Sequence, residues 1–133
     1  MTKYSFDRLH QFAVNLFIKI GCPHDQAIEA ANVLLSADLR GVDSHGVARL
    51  VGYLRLYKKN RINPKPQLSV VHETPSTAVV DGDAGLGLVA GPYAMRLAIE
   101  KAKNVGTGWV AVKNSNHYGI AGYHAMMALE ADC

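Results

Sequence analysis

Apolar residues at Phe6, Leu9, Phe12, Ala13, Leu16, Phe17 and Ile20 recur at spacings of three and four, the period of a helix with one buried face. Gly21 ends that helix, since glycine accepts the left-handed backbone that closes a helical C-terminus. Pro23 fits a first-turn position of a second helix, which buries Ala27, Ile28, Ala31, Leu34 and Leu35 and ends near Leu39 and Gly41. After the polar loop Val42-Asp43-Ser44-His45-Gly46, a third periodic stretch runs through Val47, Leu50, Val51, Leu54 and Tyr57. Pro64 and Pro66 cannot continue a helix and push the residues before them toward extended geometry, so a boundary falls at Asn63-Pro64-Lys65-Pro66. Residues 1–66 read as a helical N-terminal unit.

The period then changes. Leu68-Ser69-Val70-Val71 and Thr77-Ala78-Val79-Val80 are β-rich runs joined by a turn at Thr74-Pro75-Ser76. A glycine-rich loop from Asp81 to Gly87 precedes a helix over 91–103, and Gly106 and Gly108 break that helix before the third β-rich run, Trp109-Val110-Ala111-Val112. A second polar loop, Asn114-Ser115-Asn116-His117-Tyr118-Gly119, leads into a last helix over 121–131. Residues 67–133 thus read as an α/β domain, and the chain as α/β (α+β) overall. The last helix meets Cys133 with no strand to follow, which reads as the front part of a longer sheet domain.

Composition narrows the function classes. Hydrophobic content of 49% with 19% charged residues is that of a globular chain with a packed core. The net charge of +3 is spread out except for Arg55, Lys58, Lys59, Arg61 and Lys65, which read as a solvated helix face. Interleaved aromatics and RNA-binding motifs are missing, so no nucleic acid is expected. Two cysteines, Cys22 and Cys133, give neither a disulfide framework nor a four-ligand zinc site, and no metal site is expected. Polar residues interrupt the N-terminal apolar run, which excludes a signal peptide or spanning helix and points to a cytoplasmic protein away from membranes.

Two polar loops carry candidate chemistry. In the first, Ser44 is a good N-cap, and His45 and Arg49, four apart, would share a helix face. An Arg can grip a carboxylate through two parallel hydrogen bonds, and an imidazole can exchange a proton near neutral pH. The plainer alternative is a helix cap beside a solvated His. In the second loop, His117 follows a strand and precedes a helix, the end of an α/β sheet where ligands gather, although an ordinary strand-to-helix turn uses the same residue types. Gly85-Leu86-Gly87-Leu88-Val89-Ala90-Gly91 imitates a dinucleotide fingerprint, but its spacing is one residue too long and no acid follows Val112, so a Rossmann fold is not expected. His10, His24, His72 and His124 lack a matching constellation.

Taken together, the segments Asp38 to Leu50 and Asn114 to Tyr123 resemble the signature segments of the malate/L-lactate dehydrogenase family of the non-Rossmann type. Asn63-Pro64-Lys65-Pro66, Asp81-Gly82 and the loop from Gly85 to Gly91 fall in the same order and spacing. The family includes sulfolactate, ureidoglycolate and diketogulonate oxidoreductases and cyclic imino-acid reductases. The resemblance implies reversible hydride transfer between NAD or NADP and C2 of a 2-hydroxy or 2-keto acid. It makes His45 and His117 the acid/base candidates without choosing between them. By the same likeness Ser44 orients His45 or the substrate, Arg49 holds the substrate carboxylate or a cofactor phosphate, and Asn116, Tyr118 and Gly119 meet the cofactor. Family members are implied to be homodimers whose active site draws on both subunits, and to continue past Cys133 with most of their dinucleotide contacts there. A catalytically silent binding or assembly domain derived from the family is the alternative.

Overall fold

A computed structural model describes residues 4–133, so Met1, Thr2 and Lys3, the start of the N-terminal run considered above, lie outside the described residues. Three helices come first: α1 (Phe6–Lys19), α2 (His24–Leu39) and α3 (Leu50–Lys58). Ser5 caps α1, its hydroxyl accepting the Arg8 N–H, and Ala13, Val14 and Phe17 form the buried face. All three helices end in the same way. At α1 the Gly21 N–H reaches Ile18 O and the Cys22 N–H reaches Phe17 O, with Gly21 at φ +105°. At α2 Gly41 and Val42 donate to Asp38 O and Ala37 O, and at α3 Asn60 and Arg61 donate to Tyr57 O and Leu56 O. This paired closure consumes carbonyls that a helix end otherwise leaves open, and it turns the chain sharply at a fixed place.

The sheet has the order β1 (Ser69–Glu73), β2 (Thr77–Gly85), β3 (Trp109–Ser115). β1 and β2 form an antiparallel hairpin, and β2 and β3 run parallel, with α4 (Gly87–Val105) making the crossover and α5 (Ala121–Glu130) following β3. The fold class is the mixed α/β one expected. Several boundaries differ: β3 runs on to Ser115, taking Asn114 and Ser115 of the expected polar loop into the strand, and α3 starts at Leu50 rather than at Val47. Strand β2 continues to Gly85 and α4 starts at Gly87, four residues before the expected helix, so the glycine-rich stretch is mostly strand end and first helical turn rather than loop. Pro23 sits at the N-cap of α2, one residue outside the turn assigned to it.

One hydrophobic core runs through both halves. Phe17, Leu34, Leu35, Leu50, Tyr53 and Ile62 pack with Leu86, Leu88 and Val89 from the start of α4. Burial of each such side chain contributes roughly 1.5–3 kcal/mol. Among the described residues, no helix is long and apolar enough to cross a membrane.

Candidate active site

The first polar loop is positioned by the end of α2. Closure at Gly41 and Val42 delivers the chain into two short 3-10 turns, Asp43–His45 and Val47–Arg49, which lead into α3. Ser44 does not cap a helix as expected. The cap is Asp38, whose carboxylate accepts the Val47 N–H at 2.8 Å. Gly46 is needed for this approach, because a Cβ there would overlap the Asp38 carboxylate. Ser44 lies inside the first 3-10 turn, and its hydroxyl is spent instead on His45 Nδ1, 2.9 Å away. Nor do His45 and Arg49 share one helix face. They are brought together by the turn itself, in which Arg49 Nε donates to Ser44 O at 2.7 Å. That contact fixes the guanidinium and leaves both terminal nitrogens for another group.

The second loop is held by the strand ends. Asn116 Nδ2 donates to Ala84 O at 2.9 Å and Gly85 O at 3.0 Å, and Asn114 Nδ2 donates to Asp81 Oδ1 at 3.0 Å. The Asp83 N–H, followed by the Asn114 amide, holds the Asp81 carboxyl below its ordinary range. Gly87 lets the loop pass directly over the start of α4, since a Cβ there would run into the backbone of Asn116 and His117. Gly119 sits at φ +82°, with Leu88 and Val33 each 2.9 Å from where a Cβ would stand.

These constraints bring the two loops together. The His45 and His117 rings stack with centroids 5.5 Å apart and planes 30° apart. His117 Nδ1 lies 2.9 Å from the Tyr53 hydroxyl and accepts the Gly119 N–H at 3.2 Å. Desolvation, then the charge of Arg49 and the neighbouring His45, lower the His117 pKa below its ordinary 6.5. Burial pushes the Tyr53 phenol up, against a smaller opposing pull from Arg49. A cleft of about 350 Å³ opens beside His117 and is lined also by Arg49, Gly52, Tyr53, Arg55, Leu56 and Lys59.

A second cleft, about 440 Å³, is lined by Asn116, Tyr118, Asn114, Ser115, Val112, Gly87 and Gly91. Asn116 and Tyr118 thus line one cleft and His117 the other. Gly119 lines neither: it is buried, and its N–H is taken by His117. Residues missed by the sequence reading are Tyr53, Asp38, Arg55 and Lys59. Tyr53 was legible as the position four beyond Arg49 on the same periodic stretch, whereas Asp38 acts across nine residues and left no local signal. Arg55 and Lys59 were taken for a solvated face, and they are exposed, but along the rim of the His117 cleft.

The comparisons with known proteins decide the family. The sequence profile of the malate/L-lactate dehydrogenase family matches residues 4–133. The chain belongs to that family. It is 50% identical over 119 residues to the L-sulfolactate dehydrogenase of Methanocaldococcus jannaschii, a match covering 90% of this chain and 35% of the relative. It is 51% identical over 124 residues to the malate dehydrogenase of Pyrococcus abyssi, covering 93% of this chain and 34% of the relative. The solved malate dehydrogenase of Pyrococcus horikoshii superposes with a TM-score of 0.94 at 49% identity, over 97% of this chain and 37% of that one. The chain therefore spans about a third of the length of these relatives.

Proposed function

We propose that this chain carries the proton-handling half of an NAD(P)-dependent dehydrogenase acting on a 2-hydroxy or 2-keto acid of the malate or L-lactate type. The observation that carries the reading is the stacking of His45 on His117 beside Arg49, three side chains from two loops far apart in sequence. Family membership and the printed activities of the relatives, malate and L-sulfolactate dehydrogenases, support it.

In this reading Arg49 grips the substrate carboxylate with the two terminal nitrogens that its bond to Ser44 O leaves free, a geometry suited to bidentate recognition. The carboxylate then fixes C2 and its oxygen near the imidazole pair. Ser44 orients His45 through Nδ1. The two rings serve the C2 oxygen, which needs a proton as the carbonyl becomes an alcohol and must surrender it in the reverse direction. A nicotinamide cofactor would supply the hydride.

The second cleft, with the exposed ring of Tyr118 as a wall and polar groups at Asn114, Ser115 and Asn116, suits a part of the cofactor away from its reacting ring, which must stand beside C2 on the Arg49 side for hydride to pass. Asn116 can offer that part only its oxygen, because its amide hydrogens serve Ala84 and Gly85. Gly119 acts on the site from behind, through His117. A homodimer is part of the reading, carried over from the family resemblance.

The test is titration of NADH and NADPH, following nicotinamide fluorescence, then oxaloacetate and pyruvate reduction followed by nicotinamide absorbance, with a protein in which this chain is joined to the remaining length that its relatives have. Saturable binding and turnover are expected. No binding at millimolar protein would refute a working dehydrogenase and leave the silent binding domain as the answer.

A further inference from the structure

The two stacked imidazoles have different hydrogen-bond partners, and that difference separates their roles. His45 Nδ1 faces only a serine hydroxyl, which donates or accepts as required, so this ring can hold its proton on either nitrogen or on both. His117 Nδ1 faces a backbone N–H, which can only donate. Its lone pair must therefore point at Gly119, and the neutral ring carries its proton on Nε2. The Tyr53 hydroxyl, 2.9 Å from the same nitrogen, adds a second donor. Tyr53 is only 3% exposed and makes no other side-chain hydrogen bond among the described residues, so its hydroxyl has no competing duty.

The lock is built into the core rather than the loop. The Gly119 backbone is held against Leu88 of α4 and Val33 of α2, and its φ of +82° suits glycine. The direction of its N–H is thus set by the packing of two helices. Protonating His117 at Nδ1 would set N–H against N–H at Gly119. Only the Tyr53 hydroxyl could turn to accept, so the charged ring forfeits a bond that the neutral ring keeps. The charged and titratable groups around His117 are His45, Arg49 and Tyr53, with Arg55 and Lys59 on the rim of the same cleft, and Arg49 and His45 oppose a second positive charge there.

We propose that the Gly119 amide and the Tyr53 hydroxyl are positioning groups that hold His117 as its Nε2–H tautomer, so that His117 donates a fixed hydrogen bond to the substrate's C2 oxygen while His45 exchanges the proton. The role assigned to the C2 oxygen rests on the dehydrogenase reading; the lock itself does not. A reduced nicotinamide would supply the hydride to C2 and be left oxidised. The C2 oxygen, holding the former π pair, takes a proton from the His45 imidazolium, so that the keto acid becomes the hydroxy acid and His45 is left neutral. The His117 Nε2–H bond to that oxygen strengthens as charge builds and is never broken, as expected of a preorganised oxyanion donor.

The lock is tested on the chain itself by long-range proton–nitrogen correlation spectra with nitrogen-15-labelled histidine. At pH 7 His117 is expected as a single neutral tautomer, unprotonated at Nδ1; an Nδ1–H tautomer, an even mixture or an imidazolium there would overturn the proposal. Tyr53→Phe keeps the buried ring, and it should move the His117 nitrogen resonances toward the averaged values of a free imidazole. Leu34→Val, which loosens the same core, should leave them in place. Unchanged resonances in Tyr53→Phe would remove Tyr53 from the proposal.

In keto-acid reduction, His117→Ala should lower the rate ~100-fold while the shape of the pH profile persists, the effect of losing an oxyanion donor. His45→Ala should lower it by ~100-fold or more and flatten the profile. The opposite assignment of the two pH effects would overturn the division of labour. The Nε2–H tautomer in the chain, with no reductase activity in a protein that joins it to the remaining length its relatives have, would keep the lock and refute the dehydrogenase reading, so the two failures are distinct.

Discussion

Arg49 shows how one side chain acquires a direction. Its Nε is committed to Ser44 O, so the guanidinium cannot swing freely and its two outer nitrogens face the cleft beside His117. Arg49→Gln should therefore raise KM for the keto acid by ~10- to 100-fold, the usual worth of a charge-assisted hydrogen bond, with a smaller change in kcat. Steady-state kinetics with oxaloacetate checks this, and a change in kcat alone would place Arg49 outside carboxylate binding. At this scale the sequence was informative about identity and less so about geometry. His45, His117, Ser44 and Arg49 stand out as polar residues at loop positions, and all four meet in the structure. Their contacts were not legible, because Ser44 was expected at a helix cap and serves His45 instead, and Tyr53, outside the periodic positions assigned to the third stretch, was not singled out.

The elements α4 and α5 owe their closeness to glycine. Gly87 admits the backbone of the His117 loop, and Gly91 admits the His124 ring, whose Cε1 would lie 2.5 Å from a Cβ at that position. Gly87→Ala should destabilise the chain by about 1–3 kcal/mol, the usual cost of overpacking, and disturb the His117 resonances. Urea unfolding measures the first effect and nitrogen-15 spectra the second; a stable variant with an unmoved His117 would refute this packing role.

His124 was set aside as background by the sequence and is nearly buried, its Nε2 donating to Tyr118 O at 2.9 Å and its Nδ1 without a partner among the described residues. Burial, opposed by the Tyr118 carbonyl and more weakly by Glu29, lowers its pKa below the ordinary 6.5. The unfolded chain then takes up the proton first as pH falls. Stability is complete above about pH 6.5 and declines below it until the folded form is protonated too, and His117 adds to the same trend. Denaturant midpoints between pH 8 and pH 5 should show this decline, and His124→Gln should flatten it. An equally steep decline in the variant would exclude His124 as the cause.

At the scale of the molecule the core is continuous from α1 to α4, with Leu34 fully buried at its centre. Leu34→Ala should cost about 2–5 kcal/mol and lower the unfolding midpoint in a single transition, because both halves lean on the same cluster. Two resolved transitions in urea would show instead that the helical unit and the α/β half fold separately. The sequence by itself determined the helices, the change of period after Pro66, the polar loops and the family resemblance, because these depend on spacing and residue type within short windows. It could not determine that β2 runs through Asp81 and Gly82 to Gly85, since pairing with β3 across a whole helix stabilises residues of poor strand propensity. Nor could it place His45 on His117, give Tyr53 and the Gly119 amide a shared lone pair, or turn Asn116 and Tyr118 to a different cleft from their neighbour. Those contacts join residues distant in the chain, and only the packing of α2, α3 and α4 around one core brings them within hydrogen-bond reach.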